Sequence, residues 1–252
     1  MPAASPPRIA IPLPHSFERE YADRSIPQYE YAVKLAGGVP VRIPLDLTAD
    51  EVKRMAEGCD GVLLPGSSAD VDPAKFGASR SPHTAAADAA RDRVDGLLLE
   101  AAYEKRKPIL GICYGLQSLN VYHRGSLIQH IPDFLPEELR NLVNHEAGKK
   151  VAIAHRVQVE TDSRLGTILG SNGKKLLLPV NSSHHQSADA VGEGLKIVGR
   201  CAEDGIIEAL EGTDADHFVI AVQWHPERSV ELDEASPALF RALIEAARTR
   251  GN

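Results

Sequence analysis

Apolar runs and helical segments alternate through the first half of this 252-residue chain. The apolar runs are short and mostly bounded by glycine or proline, as in buried strands, and cover residues 8–13, 39–43, 61–64 and 108–112. Helical segments are predicted between and after them, over residues 28–35, 49–57, 85–105 and 114–123. Because parallel strands need long crossover connections, this alternation predicts an α/β fold with a mostly parallel sheet covered on both faces. Thr48 and Glu51 form a predicted capping box at the start of the second helix.

After Gly125 the apolar runs follow one another without long helices between them. They cover residues 151–159, 176–180, 195–199, 206–210 and 218–222. This spacing predicts antiparallel strands in the C-terminal half, followed by an alanine-rich helix over residues 236–248. The chain has no internal repeat, low-complexity tract or Gly/Ser linker, so residues 1–252 are predicted to form a single domain.

Cys113 stands between a predicted buried strand and a predicted helix, in the segment Gly111-Ile112-Cys113-Tyr114-Gly115. The flanking glycines allow a sharp turn at this point. The following helix offers unpaired backbone N–H groups and the positive end of its dipole, which together favour thiolate over thiol. The setting predicts a nucleophilic cysteine, although a cysteine at the end of a buried strand is more often inert packing.

His225 follows another apolar strand, and Glu227 comes two residues later in the segment Gln223-Trp224-His225-Pro226-Glu227. In an extended chain, positions i and i+2 face the same side, so the carboxylate can orient the imidazole while the imidazole faces a thiol. A lone His-Pro-Glu sequence is more often a turn. Since Cys113 and His225 both follow predicted strands, and ligands of open α/β sheets bind beyond strand ends, the two segments together predict a Cys113–His225–Glu227 catalytic triad.

Several further motifs accompany these two segments. They are Leu64-Pro65-Gly66, Asp70-Val71-Asp72-Pro73, Arg91-Asp92, Gln117 with Asn120-Val121, Asn181-Ser182-Ser183-His184-His185-Gln186 and Asp204-Gly205-Ile206-Ile207-Glu208-Ala209. With them, most of the chain resembles the class I glutamine amidotransferase superfamily, and more closely its gamma-glutamyl hydrolase branch. The resemblance implies a flavodoxin-like α/β/α sandwich with added antiparallel strands. It also implies cysteine-dependent cleavage of gamma-glutamyl amide bonds through a gamma-glutamyl thioester, without metal or organic cofactor.

Cleavage of an amide develops an oxyanion, which N–H groups already in place stabilise best. The main-chain N–H groups of Gly66 and Tyr114 are the candidate donors, with a plain turn glycine as the alternative for Gly66. Gln117 lies one turn into the helix after Cys113 and is a candidate for substrate binding. The alternative for Gln117 is an exposed helical side chain.

In the resembling family the loop that corresponds to residues 181–186 lines the glutamyl pocket, which implies substrate-binding roles for Ser183 and His184. The adjacent His184 and His185 could instead be metal ligands. Adjacent side chains diverge, however, and no Cys/His/carboxylate set with ligand spacing accompanies them. We therefore expect no metal and no cofactor.

The expected function is hydrolysis of gamma-glutamyl amides of small molecules such as γ-aminobutyrate, as in polyamine catabolism. Tyr114 stands where hydrolase relatives often carry arginine, which leaves the departing amine open. One alternative is a glutaminase subunit that passes ammonia to a separate synthetase, since tyrosine also occurs at this position in such relatives. A second alternative is a non-catalytic gamma-glutamyl-binding module.

The formal net charge of -7 and the sequence pI near 5.8 provide no basic footprint for nucleic acid. No apolar run reaches the roughly 18 residues of a membrane span, and residues 1–14 lack the features of a signal peptide. Three cysteines form an odd set without a disulfide framework, which favours a reducing compartment. We expect a cytoplasmic protein with a small-molecule substrate and no nucleic-acid or membrane partner, and the sequence leaves a homodimer open.

Overall fold

The structure, a computed structural model, describes residues 5–250 of the chain. Over these residues the strands are β1 (Arg8–Pro12), β2 (Val39–Ile43), β3 (Gly61–Leu64), β4 (Ile109–Ile112), β5 (Leu127–Ile128), β6 (His155–Val159), β7 (Leu176–Val180), β8 (Ser187–Ala188), β9 (Leu195–Cys201), β10 (Ile207–Gly212) and β11 (Val219–Val222). The helices are α1 (Arg19–Leu35), α2 (Ala49–Glu57), α3 (Ala89–Glu104), α4 (Tyr114–Tyr122), α5 (Ile131–Phe134), α6 (Arg164–Ile168) and α7 (Ala235–Arg250).

Nine of the described strands form one sheet in the order β2-β1-β3-β4-β11-β10-β9-β6-β7, and β5 pairs separately with β8. The first five strands in this order are mutually parallel, and the last four add antiparallel pairings. The predicted mostly parallel sheet with antiparallel strands from the C-terminal half is therefore confirmed. β11 departs from the predicted antiparallel pairing, because it pairs parallel with β4 on one side and antiparallel with β10 on the other. The strand predicted over residues 151–159 begins only at His155.

Helices cover both faces of the sheet. Alternate side chains of β1 point into different layers, because successive side chains of a strand face opposite ways. Ile9 and Ile11 pack in the same core as Phe240 of α7, whereas Ala10 packs in the core that contains Leu98 of α3. Two apolar cores on opposite faces of one sheet make the predicted α/β/α sandwich.

The first helix starts earlier than the prediction of 28–35, since α1 already begins at Arg19 and continues through Pro27. A proline inside a helix removes one backbone donor and costs about 3 kcal/mol. The buried face of α1 continues across that point, with Ile26 before the proline and Tyr29 after it. Packing of that face against the sheet offsets the defect, which local sequence rules cannot foresee.

Two other helix starts follow from their caps. The predicted capping box of α2 is confirmed, since Thr48 Oγ1 accepts a hydrogen bond from Glu51 N–H and the Glu51 carboxylate accepts one from Thr48 N–H. The helix predicted from residue 85 begins only at Ala89, because the Asp88 carboxylate accepts hydrogen bonds from the N–H groups of Ala90 and Arg91.

Cys59, Cys113 and Cys201 are all free and buried thiols. Among residues 5–250, none of the helices combines the length and the apolar content that crossing a bilayer requires.

Candidate active site

The carboxyl ends of three neighbouring parallel strands carry the candidate site. Strands β3, β4 and β11 lie side by side and end at Leu64, Ile112 and Val222. The turns that follow them carry Gly66, Cys113 and His225. Side chains that are far apart in the sequence therefore meet at one edge of the sheet, as predicted from the strand ends.

Cys113 occupies a strained turn between β4 and α4. Its backbone angles, φ of 53° and ψ of -104°, lie in a region that residues other than glycine seldom adopt. The neighbouring glycines make the turn possible, since a Cβ at Gly115 would come within 2.2 Å of Leu64 O and one at Gly111 within 2.9 Å of the Gly115 backbone. Strain held by close packing is a property of functional positions.

His225 and Glu227 meet across a tight turn. His225 Nδ1 lies 2.7 Å from Glu227 Oε1, and both side chains are buried. The contact does not arise from the predicted extended chain, because β11 ends at Val222 and residues Pro226–Arg228 form a single 3-10 turn. The carboxylate is nevertheless placed to hold the imidazole in one orientation.

The electrostatics of this pair favour a protonated ring. Burial disfavours the charged imidazole, but the Glu227 carboxylate and the Cys113 sulfur outweigh burial and raise the pKa of His225 to about 9. Burial also opposes the charge of Glu227, yet the neighbouring His225 ring lowers the pKa of that carboxyl. Cys113 and His225 line the same cleft. At neutral pH the His225 ring is therefore protonated, next to the Glu227 carboxylate.

Asn181 fixes the backbone of His225 from the other side. Its Oδ1 accepts a hydrogen bond from His225 N–H over 3.0 Å, and its Nδ2 donates to His225 O over 2.9 Å. The sequence places Asn181 in a polar loop but does not predict this role, because no local pattern links residue 181 to residue 225.

Replacing Asn181 by alanine is expected to lower kcat by about 10²-fold with little change in KM, because a displaced imidazole loses its alignment with the sulfur. Steady-state kinetics on the purified variant measure this. Asn172→Ala, at an exposed turn, is the matched control. A rise in KM with kcat intact would contradict the positioning role.

The two main-chain N–H groups predicted to stabilise an oxyanion have different hydrogen-bond environments in the structure. Tyr114 is the first residue of α4, so its N–H has no acceptor within the helix. Gly66 lies against the triad, because a Cβ there would come within 3.0 Å of His225 Cε1 and 3.7 Å of Cys113 Cβ. Its N–H, however, donates to Tyr29 Oη over 3.0 Å, which corrects the expectation that this donor is free.

Ser67 offers the next main-chain donor along this loop. It lines the cleft beside Cys113, and its N–H makes no hydrogen bond within residues 5–250. Arg91 holds the loop in place, since its buried guanidinium donates to Pro65 O over 2.7 Å and lies 4.7 Å from the centre of the Tyr114 ring. Within residues 5–250 the N–H groups of Ser67 and Tyr114 are free, and Arg91 contacts both the loop before Ser67 and the Tyr114 ring.

A cleft of about 200 Å³ opens beside Cys113 and His225. The predicted substrate-binding residues Gln117 and Ser183 line it. Gln117 Nε2 lies 3.3 Å from both Gln186 O and Gln223 Oε1, and Ser183 Oγ accepts a hydrogen bond from Arg228 over 2.9 Å. Gln117 is therefore a buried side chain of the cleft, not an exposed helical one.

His184 also borders the cleft, and its ring lies between the Gln186 carbonyl and Glu208. Nδ1 lies 2.8 Å from Gln186 O, and Nε2 lies 3.4 Å from Glu208 Oε1. Nε2 makes no hydrogen bond within residues 5–250, and the substrate-binding role of His184 stays a prediction. The ring belongs to a second buried cluster, together with His145, His155 and Glu208.

Other residues of the cleft had no role assigned to them from the sequence. Tyr21 reaches the cleft from α1, and burial, then the charges of Cys113 and Glu227, raise the pKa of its phenol to about 12. Charged side chains complete the lining: Asp70, Glu146, Lys149 and Arg228. Asp70 belongs to a motif found in the sequence but without an assigned role, and Arg228 directly follows Glu227, whereas Glu146 and Lys149 had no local signal.

Most of the chain is similar in sequence and in fold to known proteins. The model of the Peptidase C26 family matches residues 13–227. A glutamine amidotransferase-like protein of Rickettsia prowazekii is 33% identical over 87% of this chain and 88% of its own length. Gamma-glutamyl-gamma-aminobutyrate hydrolase PuuD of Escherichia coli is 33% identical over 88% of this chain and 85% of its own. In fold, the chain is similar to a GMP synthase component from Thermoplasma acidophilum, with a TM-score of 0.61, 15% identity and coverage of 97% and 95% of the two chains.

Proposed function

Because the chain belongs to the peptidase C26 family, whose fold and motifs are those of class I glutamine amidotransferases, we propose that it hydrolyses gamma-glutamyl amides of small molecules through a thioester on Cys113. The chain is a hydrolase that acts on amide C–N bonds. The observation that carries the proposal is the contact of His225 with Glu227 at the wall of the cleft that Cys113 also lines. Such a set activates a thiol and supplies a proton.

In the first half-reaction the Cys113 thiolate attacks the γ-carbonyl carbon, and a C–S bond forms. Negative charge develops on the carbonyl oxygen, for which the N–H groups of Tyr114 and Ser67 are the available donors. His225 gives its proton to the amide nitrogen as the C–N bond breaks, and the amine leaves. Glu227 holds the ring so that its proton-bearing edge faces the sulfur side of the cleft.

In the second half-reaction neutral His225 takes a proton from a water molecule, and the water oxygen bonds to the thioester carbon. The C–S bond then breaks, which releases glutamate and restores the thiolate beside a protonated ring. Each proton that His225 gives in the first half is recovered in the second.

A gamma-glutamyl group carries an amino and a carboxylate group that a specific site must recognise. Arg228 offers a guanidinium on the cleft wall, already hydrogen-bonded to Ser183, and Asp70 and Glu146 offer carboxylates. We assign the substrate carboxylate to Arg228, because a guanidinium can bind a carboxylate through two parallel hydrogen bonds. The small cleft volume of about 200 Å³ suits a compact amide.

Replacing Arg228 by methionine is expected to raise KM by about 10- to 100-fold through loss of this charge-assisted contact, with a smaller effect on kcat. Steady-state kinetics with a gamma-glutamyl amide measure the effect. Arg200→Met, at an exposed position of β9, removes a similar charge outside the cleft and serves as control. An unchanged KM would exclude Arg228 from carboxylate binding.

The function itself is tested with pure protein and a panel of gamma-glutamyl amides, followed by mass spectrometry of the released glutamate. The panel contains γ-aminobutyrate, polyamine, amino-acid and polyglutamate conjugates together with free glutamine, and α-glutamyl isomers serve as controls. Turnover of gamma-glutamyl but not α-glutamyl amides is expected. Binding without turnover across the panel would refute a hydrolase, and turnover of glutamine that requires an added synthetase would indicate an ammonia-supplying glutaminase.

A further inference from the structure

Four buried side chains converge behind the wall of the cleft. His145 Nδ1 and His155 Nε2 each lie 3.2 Å from Glu208 Oε1, and His184 Nε2 lies 3.4 Å from the same oxygen. All four side chains are almost completely inaccessible to solvent. They come from separate parts of the chain, since His155 starts β6, Glu208 lies in β10, and His145 and His184 lie in loops.

The converging atoms lack hydrogen bonds. Within residues 5–250 no hydrogen-bond partner is present for His145 Nδ1, His155 Nε2, His184 Nε2 or either carboxylate oxygen of Glu208. Buried polar atoms in folded proteins are nearly always satisfied, so five unsatisfied atoms at one point require an explanation. One ligand atom from each of the four side chains lies within 4.8 Å of the others, so the four side chains converge on a common point.

In each ring, the outer nitrogen, which is the one not directed at Glu208, lies near a hydrogen-bond acceptor. His145 Nε2 lies 2.8 Å from Asp204 Oδ2, and His184 Nδ1 lies 2.8 Å from Gln186 O. His155 Nδ1 lies 3.5 Å from Arg156 O. Histidines that bind metals typically donate their outer N–H to a carboxylate or a main-chain carbonyl, which leaves the inner lone pair directed at the ion.

We propose that His145, His155, His184 and Glu208 bind a zinc ion. Zinc ligands at about 2.0–2.1 Å in a tetrahedron lie about 3.3–3.4 Å from one another. The separations of 3.2, 3.2 and 3.4 Å between Glu208 Oε1 and the three ring nitrogens match those edges. Three imidazoles and one carboxylate are a ligand set that suits this borderline metal.

Charge balance and access are consistent with a divalent ion. The carboxylates of Glu208 and Asp204 together carry two negative charges beside the site, which match the charge of Zn²⁺. A cavity of about 350 Å³, lined by His145 and His184, reaches the cluster from one side. An ion can enter by this route.

The site would fix the cleft without taking part in bond breaking. His145 lies in the same loop as Glu146 and Lys149, which line the cleft, and His184 lies in the same loop as Asn181, which holds His225. An ion bound to both histidines ties these two loops to β6 and β10. The sequence predicts no metal, because the ligands at 145, 155, 184 and 208 share no spacing motif.

Metal content tests the inference without substrate, so its outcome is independent of the proposed hydrolase activity. The wild-type protein is purified without an affinity metal, stripped with chelator, loaded with zinc, desalted and measured by elemental mass spectrometry. About one zinc per chain is expected to remain. His184→Ala and Glu208→Gln should lose it, whereas His185→Ala, which removes the adjacent ring that contacts Asp70, should retain it.

A second set of measurements does not depend on variants of the buried ligands. Asp204→Asn is expected to weaken zinc binding by about 10- to 100-fold in competition with a chromogenic chelator. Co²⁺ in place of zinc should give the intense visible absorption of a tetrahedral nitrogen and oxygen site, without a thiolate charge-transfer band. Wild-type protein that retains no zinc after loading, or equal zinc in His184→Ala and His185→Ala, would overturn the assignment.

Discussion

Replacing Cys113 by alanine is expected to lower kcat for gamma-glutamyl amides by at least about 10⁴-fold, because it removes the thiol that forms the proposed acyl intermediate. The variant should still bind substrate, since the cleft side chains that recognise the glutamyl group are unchanged. Steady-state turnover and calorimetric binding on the same preparation measure both quantities.

Cys59→Ala is the matched control for this substitution. Cys59 is also a free, buried thiol, but it packs in the core formed with α2 and α3 and lies outside the cleft. Its replacement should lower thermal stability slightly and leave kcat unchanged. Full turnover by Cys113→Ala, or equal losses in the two variants, would eliminate Cys113 as the nucleophile.

Replacing Glu227 by glutamine is expected to lower kcat by about 10²- to 10⁴-fold and to change the pH profile, because the amide holds the ring but no longer stabilises its charge. In the wild type the carboxylate helps raise the pKa of His225 to about 9, so activity that needs the protonated ring should persist to about that pH and then fall. In Glu227→Gln the falling limb should move to lower pH, towards the ordinary histidine value of about 6.5.

The same pKa governs stability. Since the folded pKa of His225 lies above its unfolded value of about 6.5, the pair stabilises the fold fully below that pH and loses this contribution as pH rises through about 9. Thermal unfolding followed against pH should show a larger loss in the wild type than in Glu227→Gln over this pH range. A pH–rate profile that keeps its limb near 9 in the variant would show that Glu227 does not act through His225.

Local sequence patterns predict the frame that carries the site. The alternation of apolar runs and helices predicts the parallel strands, and strand ends predict where Cys113 and His225 meet. Contact of His225 with Glu227 was also expected, but for the wrong reason, since the structure uses a 3-10 turn in place of extended chain. Spacing of two residues is compatible with both geometries.

What sequence patterns do not predict depends on loops and on contacts between distant segments. The N–H of Gly66 is not free, because Tyr29, 37 positions away on α1, accepts a hydrogen bond from it. The His184 ring lies between Glu208 and the Gln186 carbonyl, a placement that local sequence patterns do not predict. Asn181 and the charged rim residues are recognised only when folding brings their loops together.

Partitioning of the proposed acyl intermediate between water and hydroxylamine tests the thioester most directly. If every substrate passes through one gamma-glutamyl thioester on Cys113, amides with different leaving amines must give the same ratio of gamma-glutamyl hydroxamate to glutamate. The ratio should depend only on the hydroxylamine concentration, and Cys113→Ala should form no hydroxamate. Turnover without hydroxamate, or a ratio that changes with the leaving amine, would contradict covalent catalysis by Cys113.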